Sequence, residues 1–358
     1  MRVLNVTNVN QALADGLWLL RTGGVKETSR NGPVIVAPGP VCTVYYKPWE
    51  RVLFSPTRDA NPFFHLMEAL WMLAGRNDLK FPKQFNKRFG EYSDDGKTVP
   101  GAYGYRWRKY FEYDQLDALV KELRVNPNTR RAVLTMWNAH PIWEYFDDGY
   151  ELQVADDLKL AMSGGKDVPC NTHAYFDVRG GKLNMTVCCR SNDIIWGAYG
   201  ANAVHFSILM EYMAAKVGVP MGIYRQISNN YHLYPEVIGQ DKLDSMALHG
   251  GGCNHYEPAF SGDQLRMIPL VEAHPDGKGV EDFEYDLGRF MRGDGVYNDV
   301  GWSNPFMRDV ARPMYIAWMQ RKEGVGTGLE WALAIKADDW RRACIGWIQR
   351  REEMKVIK

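Results

Sequence analysis

The residues able to do chemistry lie in the first two thirds of the chain. Pro169-Cys170 stands at the junction between a Gly-rich polar stretch, Ser163-Gly-Gly-Lys-Asp-Val168, and a strand-like segment. A thiol in that place is a candidate nucleophile, against the commoner part of a free cysteine as a small buried hydrophobe. Further on comes Arg190-Ser191-Asn192-Asp193, followed by Gly197-Ala-Tyr-Gly-Ala-Asn202. An arginine beside a thiol depresses its pKa, and the planar guanidinium also grips a phosphate through paired hydrogen bonds. Arg130-Arg131 forms a second cationic knot, and His232 and Tyr234 fall on alternate positions that share a face of an extended chain. One thiol, several arginines, a carboxylate in an apolar run (Glu68) and Asn/His/Tyr hydrogen-bonding groups suit covalent catalysis on a phosphorylated heterocycle. By residue type alone, Cys170 with His232 and Asn230 also fits a hydrolase, and a nucleotide-binding protein without turnover would keep the arginines.

These groups need elements to hold them. Pro62 to Gly75 has proline at a plausible first turn and glycine at its end, and it is apolar nearly all round. The pattern predicts a buried helix, in which Glu68 is expensive unless paired or put to use. Arg131 to Trp137 reads as a strand, and Tyr175 to Val178 and Lys182 to Cys189 read as a hairpin joined through Gly180-Gly181, since tight turns favour positive φ. Ala203 to Val217 reads as a second buried helix. In the last seventy or so residues, Asn304 to Lys322 is helical with a kink expected at Pro313. Ala337 to Met354 sets Trp340, Ala343, Cys344, Trp347 and Ile348 on one stripe.

Composition narrows the classes. The 358 residues are 46% hydrophobic and 24% charged, which is globular, and 43 basic residues balance 43 acidic ones, so a dedicated nucleic-acid binder is not expected. The start Met1-Arg-Val-Leu-Asn-Val-Thr-Asn8 has no signal-peptide pattern, and no apolar run reaches membrane-spanning length. The six cysteines (Cys42, Cys170, Cys188, Cys189, Cys253 and Cys344) show no C-x-x-C pair, which disfavours zinc and disulfide frameworks and points to a reducing cytoplasm, with no bound metal.

The segment from Pro169 to Tyr234 resembles the thymidylate synthase superfamily, which includes phage pyrimidine-nucleotide hydroxymethylases. The resemblance extends over most of residues 20–285. It is carried by Asn128-Thr-Arg-Arg-Ala-Val-Leu-Thr-Met-Trp-Asn138, Pro169-Cys170, Gly181-Lys-Leu183, Arg190-Ser-Asn-Asp193, Asn202 and His232-Leu-Tyr234. It implies an α/β (α+β) fold with a large mixed β-sheet covered by helices: a catalytic domain over 1–285 and a helical extension over 286–358.

By position, the resemblance makes Cys170 the nucleophile that adds to pyrimidine C6, and Arg190, Ser191 and Arg30 part of the 5′-phosphate site. Arg130 and Arg131 would reach into a second subunit's phosphate site, implying a homodimer. Glu68 matches the glutamate that organises water and proton traffic, Tyr103 a tyrosine at the proton-transfer site, and Asp193 a contact to the pterin. Arg58 falls where the family has a folate-contacting lysine. His232 and Tyr234 resemble the residues binding the deoxyribose 3′-hydroxyl, with Asn230 nearby. Asn202 takes the base-reading position, given one extra residue between Ile194 and Ala201. An asparagine amide both accepts from uracil N3–H and donates to O4, whereas cytosine is usually read by an aspartate in this family.

The chain also departs from ordinary synthases. Asn171 follows the nucleophile where they have histidine, the segment between Arg131 and Cys170 is longer, and the C-terminus is rebuilt. The tryptophan that shields the transferred carbon from water falls around Arg88 or Phe89. Because water exclusion separates methyl from hydroxymethyl products, the expected activity is hydroxymethylation of deoxyuridine monophosphate with 5,10-methylenetetrahydrofolate. Synthesis of dTMP and hydroxymethylation of dCMP are the alternatives.

Overall fold

The computed structural model describes the chain except for residues 30, 140–141, 147–148, 154–155, 250–252, 272–277, 299 and 357–358. Arg30 thus lies outside the described residues. The strands are β1 (Arg2–Val6), β2 (Val25–Ser29), β3 (Gly32–Val36), β4 (Val41–Tyr45), β5 (Val133–Thr135), β6 (Ile142–Phe146), β7 (Gly149–Gln153), β8 (Asn171–Arg179), β9 (Lys182–Asp193) and β10 (Met221–Leu233). Eight of them form one mixed sheet in the order β1-β4-β10-β9-β8-β5, with β3 bonded to the end of β10 and β2 to β3. The pairs β1/β4 and β9/β10 are parallel. β6 and β7 form a separate hairpin. The large mixed sheet expected from the family resemblance is present.

The hairpin β8/β9 turns at Gly180 and Gly181, both with positive φ (57° and 71°), where a side chain would be strained. Two strands differ from their sequence reading. β9 runs on through Arg190 to Asp193, because that polar stretch keeps parallel partners on β10. β5 is shorter than Arg131–Trp137, because the amides of Met136 and Trp137 both turn to the carbonyl of Thr172 (2.8 and 3.1 Å), a local bulge that ends the ladder.

Two buried helices pack against each other, and the second of them also lies against β9 and β10. The helix Pro62–Leu73 starts where the Asn61 side chain accepts from the amide of Phe64, with Pro62 in the first turn. The helix Asn202–Val217 is buried over nearly its whole length and ends at Gly218 in the left-handed region. It continues directly from a π-helical segment, Ile194–Ala201. The C-terminal helices fold back onto the first of these: Trp347, on the helix Asp338–Val356, meets Phe63 edge-on at 5.6 Å and Trp318 at 5.5 Å. In place of a simple kink at Pro313, a π turn over Met307–Ala311 leads into the helix Arg312–Glu323 with Pro313 in its first turn, where a missing N–H breaks no interior bond. Among the described residues, no helix is long and apolar enough to cross a membrane.

Candidate active site

Cys170 immediately precedes β8, and antiparallel pairing sets it opposite Arg190 of β9: the Arg190 amide donates to the Cys170 carbonyl at 2.8 Å. The guanidinium folds back over the same loop. Its Nε donates to Pro169 O and one Nη to Val168 O, each at 2.9 Å, and that Nη stands 3.9 Å from Cys170 Sγ. A half-buried thiol therefore sits beside an exposed fixed cation, which favours the thiolate.

The parallel register of β9 and β10 places Ser191 beside Asn230 and Asp193 beside His232. The polar groups thus gather at the carboxyl ends of two parallel strands, where side chains can face a ligand without interrupting the sheet. The His232 and Tyr234 rings meet edge-on at 5.1 Å, so the shared face expected from their alternation is real. Burial lowers the pKa of His232 while Asp193 opposes that shift. Asp193 caps the π-helical segment: its carboxylate accepts from the amides of Ile195 (2.6 Å) and Trp196 (3.2 Å), although burial still holds its pKa above the ordinary value.

That π-helical segment spans the stretch where the family resemblance requires one extra residue. A wider helical turn absorbs an insertion without rotating the regular helix beyond it. Asn202, buried at the start of that regular helix, donates through Nδ2 to Asn192 Oδ1 at 3.2 Å, and Asn192 donates in turn to Ser228 Oγ at 3.0 Å. Its orientation is fixed from behind.

Tyr103 begins the helix Tyr103–Arg108, which lies against the end of the Glu68 helix because Gly104 has no side chain: a Cβ there would stand 1.9 Å from the Met72 carbonyl oxygen. Burial first, then the nearby Cys170 and Cys189 thiols, push the Tyr103 hydroxyl well above its ordinary pKa, so it stays protonated beside Cys170. Glu68 is 7% exposed, and its Oε2 lies 3.1 Å from Nε2 of His205. Phe64, Glu68 and Trp71 share a helix stripe at i, i+4 and i+7, and Phe89 packs on Phe64 and Trp71 with ring centroids 6.0 and 5.9 Å apart. Phe89 is therefore the inward residue of the pair expected near the shielding position. Arg88 is exposed and paired with Glu91.

Arg58 is buried. Its Nε donates to Ile195 O at 2.9 Å, its guanidinium lies 4.5 Å from the centre of the Trp196 ring, and one Nη is buried without a hydrogen-bond partner. Burial lowers its pKa to about 10, with Asp193 and Asp59 pulling the other way. A guanidinium with one free Nη beside an aromatic face and the Asp193 carboxyl fits a reduced pterin with its polar edge.

Arg130 and Arg131 are not brought to Cys170 of the same chain. They are exposed and precede Val133, which pairs with Tyr175, so they stand roughly 17 Å or more along β8 from the thiol at about 3.3 Å per residue.

The sequence reading missed His205, His65 and Asp167. The histidines were hidden inside apolar helical runs, where the signal that drew attention to Glu68, a titratable group in a buried stripe, applied equally. Asp167 accepts from the Gly101 amide at 2.7 Å, and burial raises its carboxyl pKa to about 6. Asn171 is fully buried, and its side chain interacts with the Tyr103 hydroxyl.

The chain is also similar to known proteins. The thymidylate synthase family matches residues 56–258. The chain is 45% identical over 319 residues to a protein named deoxyuridylate hydroxymethyltransferase from Pseudomonas phage M6, covering 88% of this chain and 84% of that one. A protein of the same name from Bacillus phage SP01 is 36% identical over 56% of this chain and 50% of its own. Another, from Delftia phage PhiW-14, is 29% identical over 65% of this chain and 62% of its own. With the family model matched over residues 56–258 and a relative 45% identical over 88% of its length, the chain belongs to the thymidylate synthase family.

Proposed function

We propose that this protein hydroxymethylates deoxyuridine 5′-monophosphate, releasing 5-hydroxymethyl-dUMP. The observation that carries the reading is the approach of Arg190 to Cys170, with Asn202 braced by Asn192. Kinship with phage proteins named deoxyuridylate hydroxymethyltransferase supports it.

In this reading the Cys170 thiolate adds to C6 of uracil, which makes C5 nucleophilic. Arg190 and Ser191 hold the 5′-phosphate, with Arg30 and the Arg130 and Arg131 of a second subunit completing that site in a homodimer. Asn202 accepts from N3–H and donates to O4, while His232 and Tyr234 bind the 3′-hydroxyl. Arg58, Asp193 and Glu68 hold 5,10-methylenetetrahydrofolate, which supplies the one-carbon unit. Tyr103 handles the C5 proton. Water then adds to the exocyclic methylene of the bound nucleotide, and Cys170 leaves as C5=C6 re-forms. Phe89 packs on Phe64 and Trp71, and a phenyl ring in place of a shielding indole would admit that water.

The test supplies dUMP and methylenetetrahydrofolate and identifies the nucleotide by mass. A hydroxymethyl product without the absorbance rise of dihydrofolate is expected. A methyl product with that rise would overturn the reading in favour of dTMP synthesis.

A further inference from the structure

Buried behind Glu68 is a group of ionisable side chains with no assigned task. His205 lies one helical turn beyond Asn202, and the two are on the same face of their helix. Its Nε2 is 3.1 Å from Glu68 Oε2, and the two side chains are 2% and 9% exposed. The contact is not aligned as a hydrogen bond: Glu68 Oε2 and both ring nitrogens of His205 are buried without a partner. Buried polar atoms left unsatisfied are costly, so the arrangement is poor as a purely structural one. Two lone pairs at this separation repel, and a proton between them removes the repulsion. Among the described residues, His65, on the Glu68 helix, interacts with the His205 imidazole on one side and with Arg58, in the loop before that helix, on the other. Burial, with Arg58 and His205 adding to it, keeps His65 far below its ordinary pKa and therefore neutral.

Resting on the hydroxymethylase reading above, we propose that His205 is the positioning residue for the water-addition step. A small rotation of the imidazole at this 3.1 Å contact turns its Nε2–H onto Oε2 of Glu68, so that the other carboxylate oxygen accepts a proton from the water attacking the exocyclic methylene. In that step one water O–H bond breaks and its proton passes to Glu68. The new C–O bond forms at the methylene carbon, and the π electrons move through C5 to O4. Their return expels the Cys170 thiolate from C6. The steps before water addition do not use His205.

The experiment compares the unaltered protein with His205→Ala and His205→Gln by three measurements. These are the yield of denaturation-resistant complex with 5-fluoro-dUMP and methylenetetrahydrofolate, tritium release from [5-³H]dUMP, and product mass with a thiol added to capture free methylene. For His205→Ala, complex yield and tritium release are expected to stay within about threefold, while hydroxymethyl product falls at least about tenfold and thiol adduct appears. His205→Gln, which retains an N–H donor, should recover much of the product. Product and tritium release falling together, or product unchanged in His205→Ala, would overturn the proposal. A methyl product from the unaltered protein would overturn the underlying reading as well.

Discussion

Asp59 and Arg351 are joined by two hydrogen bonds, Nη1 to Oδ1 and Nη2 to Oδ2, each 2.7 Å long. Arg350 adds a third, at 3.0 Å, and Arg351 also lies over the Trp347 ring at 3.6 Å. Burial alone would raise the Asp59 pKa, but these two arginines hold it below the ordinary value. Asp59 has φ of 51°, in the left-handed region that aspartate tolerates better than most residues. The last helix of the chain therefore clamps the residue next to Arg58.

Arg351→Ala should loosen that loop. The expected result is a loss of about 1–2 kcal/mol in urea unfolding and a several-fold higher KM for methylenetetrahydrofolate. Binding of dUMP alone, measured by calorimetry, should change little.

Asn202→Asp should change the base that is read. The aspartate loses the donor for O4 but can accept from the exocyclic amine of cytosine. The kcat/KM for dUMP should fall and that for dCMP should rise, moving their ratio by at least about tenfold, as expected when a buried polar group loses its match. An unchanged ratio would remove Asn202 from the recognition site.

Stability should depend on pH through Asp339. This carboxyl is 3% exposed, and burial raises its pKa to about 6 even though it accepts from Trp340 N and Tyr256 Oη. A raised folded-state pKa means that the stabilisation of the protonated form is complete below about 3.8 and lost as pH rises through 6. Asp339→Asn keeps the acceptor oxygen and does not titrate. Relative to the unaltered protein, its Tm should rise between pH 4 and pH 7.5, by the equivalent of up to about 3 kcal/mol. Parallel Tm curves would contradict this.

Arg106 and Asp157 form a buried pair, both side chains 1% exposed, with N···O distances of 2.6 and 2.7 Å. Asp157 also accepts from the Asn138 amide, and Arg106 donates to Met136 O. Asp157→Ala strands the guanidinium, and unfolding should show a loss of about 3–5 kcal/mol. Because Arg106 is on the Tyr103 helix, tritium release from dUMP should slow as well.

Much of the site could be read from local pattern. Gly180-Gly181 demanded a tight turn, Pro62 and Gly75 bracketed a helix, and the apolar run around Glu68 required that carboxylate to have a purpose. Each of these rests on constraints that act over a few residues, namely φ, side-chain period and the penalty for burying charge. Even the π-helical segment had a signal, the single surplus residue before Asn202. His205 did not stand out, because nothing along its own helix indicates that Glu68, from a helix far earlier in the chain, ends 3.1 Å away. The clamp of Arg351 on Asp59 was equally invisible, since the two are far apart in sequence and only packing of the last helix against Phe63 and Trp318 brings them together. The residue types and their order determined which reaction this chain is equipped for. Tertiary packing decided which charges meet, because an ion pair or a shared proton depends on distances of a few ångströms that local sequence does not encode.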